Sequence, residues 1–400
     1  DRRERAPAHP LARLRHALNQ TGIGPASEWT SAARDQRPVV LHILHGWGGG
    51  AERFVRDLAR SDADRHHLLL RASGNPGRRR HGEFIELLDA RGGPPLRRAL
   101  LSPPIGAIAR RHEAYAQALA ETISEFAVEQ VWVSSLIGHA LDALDTGLPL
   151  RWVAHDYFPF WPALHRDFGD PAARFDATEM AADLRQEGPF AERDPAWWQG
   201  LRQQAIAALA AAHAEIVGPS RGVLDNFARL APELAALPRR CIAHGSAGWP
   251  VDEPALREAP FDASGKLRVV VLGRINGAKG LDLLRQLLPA LSQHCDLFLV
   301  GAGKAAEALF GTSGVHVLLD YAHAELPAIL GRIRPHMALL PGTVAETFSY
   351  TLSELWRLAI PPVATRLGAF AERIEDGVDG ILVAPDATQV AACVARLALD

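Results

Sequence analysis

The sequence predicts an α/β protein built from two doubly wound Rossmann-like domains, each a parallel sheet covered by helices, facing a cleft. Three observations carry this. Short apolar runs alternate with amphipathic stretches along most of the chain. The runs are near-continuous rather than alternating, as in strands buried on both faces. They also fall into two series, divided by a Pro- and acid-rich piece, GWPVDEPALREAPFDASG, at 248–265.

The first series places strands at 39–45 (VVLHILH), 66–72, 128–134, 150–156, 214–220 and 240–245. The second places them at 267–273 (LRVVVLG), 296–302, 315–320, 336–342, 361–365 and 380–384. Between them lie helical patterns. Ala51, Phe54, Val55 and Leu58 follow i, i+3, i+4, i+7 spacing, and Leu281, Leu284 and Leu288 share one face with Leu287 beside it. Residues 1–37 are polar, Arg-rich and weakly periodic, and read as a linker or peripheral helix. The domains are then 38–247 and 266–400, with 248–265 as the link. Segment 162–213 carries no convincing strand and reads as a helical insertion near the strand end at Asp156, either packed decoration or a lid. In this architecture a ligand belongs at the carboxyl ends of the strands.

Composition narrows the function. A net charge of −3 argues against nucleic acid as the main partner. Three scattered cysteines form neither a disulfide framework nor a metal-ligand spacing, which fits a reducing, cytoplasmic setting. No apolar run reaches the ~20 residues of a membrane helix. The chain starts at Asp1 without a Met, as an excised or tag-trimmed piece would. Basic residues cluster at Arg78–Arg80, Arg97–Arg98 and Arg110–Arg111. They read as solvated loops and faces, with loose contact to an anionic membrane surface as the sharper alternative.

Four constellations could carry chemistry. In ETFSYTLSE, Glu346 closes a strand-like run and Glu354 follows eight residues later inside a helix. A helix start offers unpaired N–H groups and partial positive charge, hence an anion site. Thr351 and Glu354 also fit a capping box, which needs no ligand but leaves Glu346 unexplained. In GRINGAKG, Arg274 and Lys279 follow the first strand of the second domain. Lys279 is one of only three lysines against forty arginines, so the position favours a compact ammonium. In HGWGGGAERF, Gly48, Gly49 and Gly50 link a strand to a helix without matching the dinucleotide or P-loop spacing. In WVAHDYFPFWP, His155 and Asp156 end a buried strand before four aromatics, either lining a sugar site or packing in the core. No metal-binding motif is present.

Taken in order, these segments resemble the retaining GT-B glycosyltransferases of glycosyltransferase family four, and within it enzymes that assemble bacterial surface polysaccharides. The resemblance runs over about residues 38–385. It is strongest in LLPGTVAETFSYTLSELWRLAIPPVATRLGAFAERIEDGVDGILV, similar to the family's donor-binding stretch with its two glutamates. VVVLGRINGAKGLDLL, GGGAERFVRDLA and VAHDYFPFWP resemble three further family segments.

The resemblance implies the GT-B fold, with an N-terminal acceptor domain and a C-terminal donor domain. It implies transfer of a sugar, with retention, from a nucleotide-diphosphate sugar to a hydroxyl of a lipid-linked or growing glycan. No metal or other cofactor is implied. Gly49 and Gly50 would serve the donor phosphate or sugar, and His155 the sugar and transition state. Arg274 and Lys279 would hold the pyrophosphate and Glu346 the sugar hydroxyls. The backbone of Thr347, Phe348, Ser349 and Tyr350 would face sugar and phosphate, and Glu354 the ribose. Asp156 and Tyr157 are candidates toward the acceptor. The enzyme would be cytoplasmic, with peripheral contact at the inner face of the plasma membrane left open. A non-catalytic GT-B scaffolding part of a larger assembly and a sugar-nucleotide epimerase are the alternatives. The chain departs from the family at CIAHGSAGWP, where Pro-Asn-Gly is common, and at Ala359, where Gly is common. It also leaves little room after GILV for a last helix crossing back to the first domain. Tyr321, in YAHAELPAIL, is a weak candidate near the base.

Overall fold

A computed structural model describes residues 35–162, 164, 172–186, 193–245 and 265–399. The expectations for 1–34, for the link 248–264 and for parts of the insertion (163, 165–171 and 187–192) lie outside the described residues. The chain divides into two compact units, Asp1–Gly245 and Ser246–Asp400.

The first unit holds an eight-stranded sheet. Its strands are β1 (Val39–His45), β2 (His66–Asn75), β3 (Arg80–Asp89), β4 (Arg97–Ile105), β5 (Val128–Val133), β6 (Leu150–Val153), β7 (Glu215–Gly218) and β8 (Arg239–Cys241). The order is β4-β3-β2-β1-β5-β6-β7-β8. Helices α1 (Gly49–Ser61), α2 (Glu113–Glu125), α3 (Ala177–Gln186), α4 (Pro195–Ala211) and α5 (Arg221–Leu230) complete it. Strands β2, β1, β5, β6, β7 and β8 are parallel, each to its neighbour. The order reverses at β1, so the switch point of this sheet lies where β1 and β5 end.

The second unit holds six parallel strands in the order β11-β10-β9-β12-β13-β14. They are β9 (Leu267–Leu272), β10 (Cys295–Val300), β11 (Val315–Leu318), β12 (Met337–Leu340), β13 (Pro362–Thr365) and β14 (Ile381–Val383). Its helices are α6 (Leu281–Leu291), α7 (Leu326–Ile333), α8 (Tyr350–Arg357), α9 (Gly368–Arg373) and α10 (Ala387–Leu397). Alternate residues of β9 feed two cores. Val269 and Val271 pack with Leu284, Leu287 and Leu297, while Val270 and Leu272 pack with Leu330, Leu340, Leu352 and Leu355. A strand buried on both faces must be largely apolar, which explains the run of Val269, Val270, Val271 and Leu272, with Arg268 only partly buried near its start. Here the switch point lies between β9 and β12, so the loops after Leu272 and Leu340 emerge side by side.

The sequence reading missed β3 and β4, which extend the sheet as an antiparallel hairpin beside β2. Their arginines, read as loop or solvated-face charges, hid them. While still partly or largely exposed, several of the clustered arginines also neutralise carboxylates within the unit. Glu86, buried on β3, takes Arg71 at 2.9 Å and also Arg98. Arg97 reaches Glu121 and Glu125, and Arg111 reaches Asp142 and Asp145. Arg110 stacks on Trp197 and donates to its carbonyl. These pairings tie the 97–98 and 110–111 clusters to carboxylates and a ring within the unit, while Arg78, Arg79 and Arg80 are exposed.

A second correction concerns the start of α8. The predicted capping box of Thr351 and Glu354 does not form: the N-cap is Ser349, whose Oγ accepts the Leu352 N–H at 3.3 Å. The other end of α8 explains the departure at Ala359. This residue follows the C-cap with φ 55°, donating its N–H to the Trp356 carbonyl at 3.0 Å. A left-handed backbone suits glycine and strains a residue with a Cβ by about 1–2 kcal/mol. We expect Ala359→Gly to stabilise this unit by about 1 kcal/mol. Chemical denaturation would check it through an upward shift of the midpoint.

Candidate functional site

In the second unit three loops leave the carboxyl edge of the sheet and lie on one another. The first, 273–280, turns so that Gly277 accepts the Gly280 N–H at 3.1 Å and Asn276 Oδ1 accepts the Lys279 N–H at 3.0 Å. The second, 341–349, is stitched to it: Thr343 N–H donates to the Ala278 carbonyl at 3.0 Å and Thr343 Oγ1 to Gly277 at 3.0 Å. Gly280 makes this approach possible. Its φ is 83°, and a Cβ there would sit 1.8 Å from the Pro341 carbonyl oxygen. The third loop begins α9. Ala369 N–H donates to the Glu346 carbonyl at 2.8 Å, and a Cβ on Gly368 would meet that oxygen at 2.5 Å.

This stacking brings Lys279 and Glu346 together as an ion pair, with the Glu346 side chain largely buried and the Lys279 side chain 41% exposed. An ammonium has three donors, so one carboxylate leaves some to spare for a second anion. Arg274 is exposed, its stem close to Gly303, and it forms no ion pair among the described residues. Thr347 is half-buried and Phe348 buried beside it, with the Phe348 ring edge-on to Tyr350 at 5.4 Å. Ser349 has φ 70° and ψ 94°, a conformation costing a non-glycine residue about 1–3 kcal/mol. Arg373 spans this turn, donating to the carbonyls of Phe348 at 2.6 Å and Ser349 at 2.8 Å.

Glu354 does not join Glu346. It is buried in α8, and His323 Nε2 lies 2.8 Å from its Oε1. Tyr321 fills the space over Gly301, where a Cβ would meet its ring at 2.4 Å. The two glutamates eight residues apart therefore face different partners, one a cation and one a histidine.

In the first unit the glycine turn follows β1. Gly48 and Gly49 have φ 72° and 77°, and Gly48 is the N-cap of α1, which starts at Gly49; Gly49 and Gly50 are exposed. His155 follows β6. Its Nδ1 is 3.2 Å from His244 Nε2, Phe54 of α1 packs edge-on to it at 5.1 Å, and its Nε2 meets no partner among the described residues. Burial, followed by the nearby His244, His45 and His42, holds the His155 pKa well below the usual range. It is a neutral ring, suited to donate or accept a hydrogen bond rather than to act as a fixed charge.

Asp156 Oδ1 accepts the Phe158 N–H at 2.9 Å, and burial raises its pKa to about 7. Tyr157 is a correction. It is 2% exposed, belongs to the core with Phe158, Phe160 and Trp161, and accepts a hydrogen bond from Asn226 at 3.0 Å on its hydroxyl. The aromatic run thus fills the core under the insertion helices, which removes Tyr157 from the acceptor candidates.

Sequence reasoning missed His244, His323 and Arg373. His244 lies in the segment noted as departing from the family, and His323 in the one read only for Tyr321. Arg373 carried no signal beyond its place in the donor-like stretch. Among the described residues no three His, Cys, Asp or Glu side chains form a group able to hold a metal ion.

Comparison with known proteins fits this geometry. Residues 266–400 match the family model described as Glycosyl transferases group 1. Sucrose-phosphate synthase from Thermosynechococcus elongatus is similar in structure, with TM-score 0.59, 17% identity, and coverage of 91% of this chain and 90% of that one. Anabaena HepE in complex with UDP-glucose gives 0.54 at 17% identity over 90% and 89%. The catalytic domain of starch synthase IV from Arabidopsis thaliana, bound to ADP and acarbose, gives 0.55 at 12% identity over 91% and 92%. The chain has the GT-B glycosyltransferase fold. No curated protein sequence matches it.

The buried histidines make the first unit acid-sensitive. Burial lowers the pKa values of His45 and His139 to about 4, and those of His42, His67, His81 and His155 also fall. A lowered folded pKa means that the unfolded chain binds the proton first. Stability is therefore full above the unfolded value near 6.5 and falls as pH drops toward 4. The raised pKa of Asp156 acts the opposite way, but it is one group against six. The thermal midpoint of the first unit should fall by several degrees between pH 7 and pH 5. A flat profile would contradict the assignment of neutral rings.

Proposed function

We propose that this chain is a retaining glycosyltransferase that moves a sugar from a nucleotide-diphosphate sugar to a hydroxyl of a lipid-linked or growing bacterial glycan. The observation that carries the reading is the Lys279–Glu346 pair, held at the switch point of the second sheet beside the start of α8. A departing diphosphate needs preplaced positive charge, and the sugar needs a carboxylate for its hydroxyls. Lys279, Arg274 and the amide groups of the 347–350 turn suit the first need, and Glu346 suits the second.

In this reading Glu354 takes the ribose, with His323 occupying its carboxylate when the donor is absent. Gly49 and Gly50 offer N–H groups to the donor, and neutral His155 hydrogen-bonds the transferred sugar. Asp156 is assigned to the acceptor side. The cationic side chains meet the charge requirement, so the reading calls for no metal or other cofactor. The family-model match over 266–400 and the nucleotide ligands of HepE and starch synthase IV support a nucleotide-linked donor. Cys241, Cys295 and Cys393 form no disulfide among the described residues, which fits a cytoplasmic setting, and no helix among those residues is long and apolar enough to cross a membrane.

Lys279→Ala and Glu346→Ala should each lower turnover more than about tenfold, a loss of at least ~1.4 kcal/mol of transition-state stabilisation, while the protein stays folded. Wild-type rates in both variants would refute the site. Thermal shift against UDP, GDP, dTDP and CMP sugars should single out the donor, because a ligand bound only by the native state raises its stability. Donor binding with neither hydrolysis nor transfer would instead mark a binding module.

A further inference from the structure

We propose that Arg373 is a positioning residue that sets the direction of the anion-binding amides in the donor turn. The inference rests on the glycosyltransferase reading above and deepens it. Arg373 belongs to α9, yet its guanidinium works on the turn before α8. Nη1 donates to the carbonyl oxygens of Phe348 and Ser349, and Nη2 donates to Ser353 Oγ at 2.8 Å. Its plane lies over the Phe348 ring at 4.0 Å and nearer the Trp356 ring than 6 Å, at 5.3 Å.

Peptide planarity turns these contacts into a direction. In a trans peptide the carbonyl and the N–H point opposite ways. Gripping the carbonyls of Phe348 and Ser349 on one side therefore turns the N–H groups of Ser349 and Tyr350 to the other side. The Ser349 N–H meets no acceptor among the described residues. The turn has a reason to need holding, because Ser349 carries φ 70° without being glycine. Its own Oγ is occupied in capping Leu352 N–H and bonding Thr351 Oγ1 at 2.8 Å. Two adjacent amides aimed one way form a concave anion site, the chemistry that a nucleoside diphosphate presents. Lysine could not replace the fork, since one ammonium lacks the planar spread that reaches two carbonyls, a hydroxyl and two rings.

The test is calorimetric titration of wild type, Arg373→Met, Arg373→Lys and the double variant Arg373→Met/Ser349→Gly with UDP, GDP, ADP and dTDP in turn. Hydrogen exchange over residues 346–352 is measured alongside, together with the thermal midpoint. We expect Arg373→Met to weaken binding at least tenfold and to speed exchange in the turn, with Arg373→Lys close to it. Ser349→Gly should recover at least threefold in the Met background, because glycine holds a positive φ unaided. Unchanged exchange and affinity in Arg373→Met, or a loss that glycine leaves unrepaired in a folded protein, would overturn the proposal. Wild type binding none of the four nucleotides would instead count against the transferase reading, and the exchange data would still decide whether Arg373 holds the turn.

Discussion

Three loops leave one edge of the C-terminal sheet, and they can lie on one another only because Gly280 and Gly368 carry no Cβ. At Gly280 the missing carbon would overlap the Pro341 carbonyl, and at Gly368 it would strike the Glu346 backbone. The strand order adds the second condition, since β9 and β12 are neighbours that run on to opposite sides of the sheet. Given both, Lys279 and Glu346 must meet although 67 residues separate them. The ion pair is thus a consequence of backbone packing, and the packing is what fixes the position of the charge.

The two units offer different electrostatics. The second presents permanent cations, Lys279 and Arg274, at an edge where backbone N–H groups are also unpaired by the helix start. The first presents His155, which burial drives toward its neutral form; it contacts His244, and Phe54 packs against both. Neutral rings recognise hydroxyl groups by hydrogen bonds that reverse direction with tautomer. Fixed cations recognise phosphate by charge. The permanent charge of the second unit is what the proposed nucleotide-diphosphate donor requires, and the hydroxyl-recognising rings belong to the first unit taken by itself.

Much of the architecture was legible because parallel strands buried on both faces are largely apolar, as VVLHILH and LRVVVL are apart from His42, His45 and Arg268. The hairpin of β3 and β4 was not, because its sequence, rich in arginine, looks solvated until Glu86, Arg71 and Arg98 are seen to neutralise one another across strands. The cap of α8 was misplaced because Ser349 adopts a positive φ that its residue type does not announce. Sequence left the aromatic run from Tyr157 open between lining a sugar site and packing in the core, because exposed and core aromatics have the same sequence signature. Glu346, Lys279 and His155 were singled out from local motifs. His244 beside His155, His323 beside Glu354 and Arg373 across the 348–349 turn were missed because each acts across many residues, where local spacing holds no information. Ala359 was noticed as a departure, but only its φ shows that the missing glycine has a conformational cost.

The central claim is that a nucleoside diphosphate binds at the loop stack of the second unit, and a crystal structure with a bound nucleotide-diphosphate sugar tests it most directly. The account predicts phosphate oxygens within hydrogen-bond distance of Lys279 Nζ and of the Ser349 and Tyr350 N–H groups, with the sugar hydroxyls on Glu346. A nucleotide found elsewhere, or one bound here with its phosphates away from Lys279 and that turn, would contradict it.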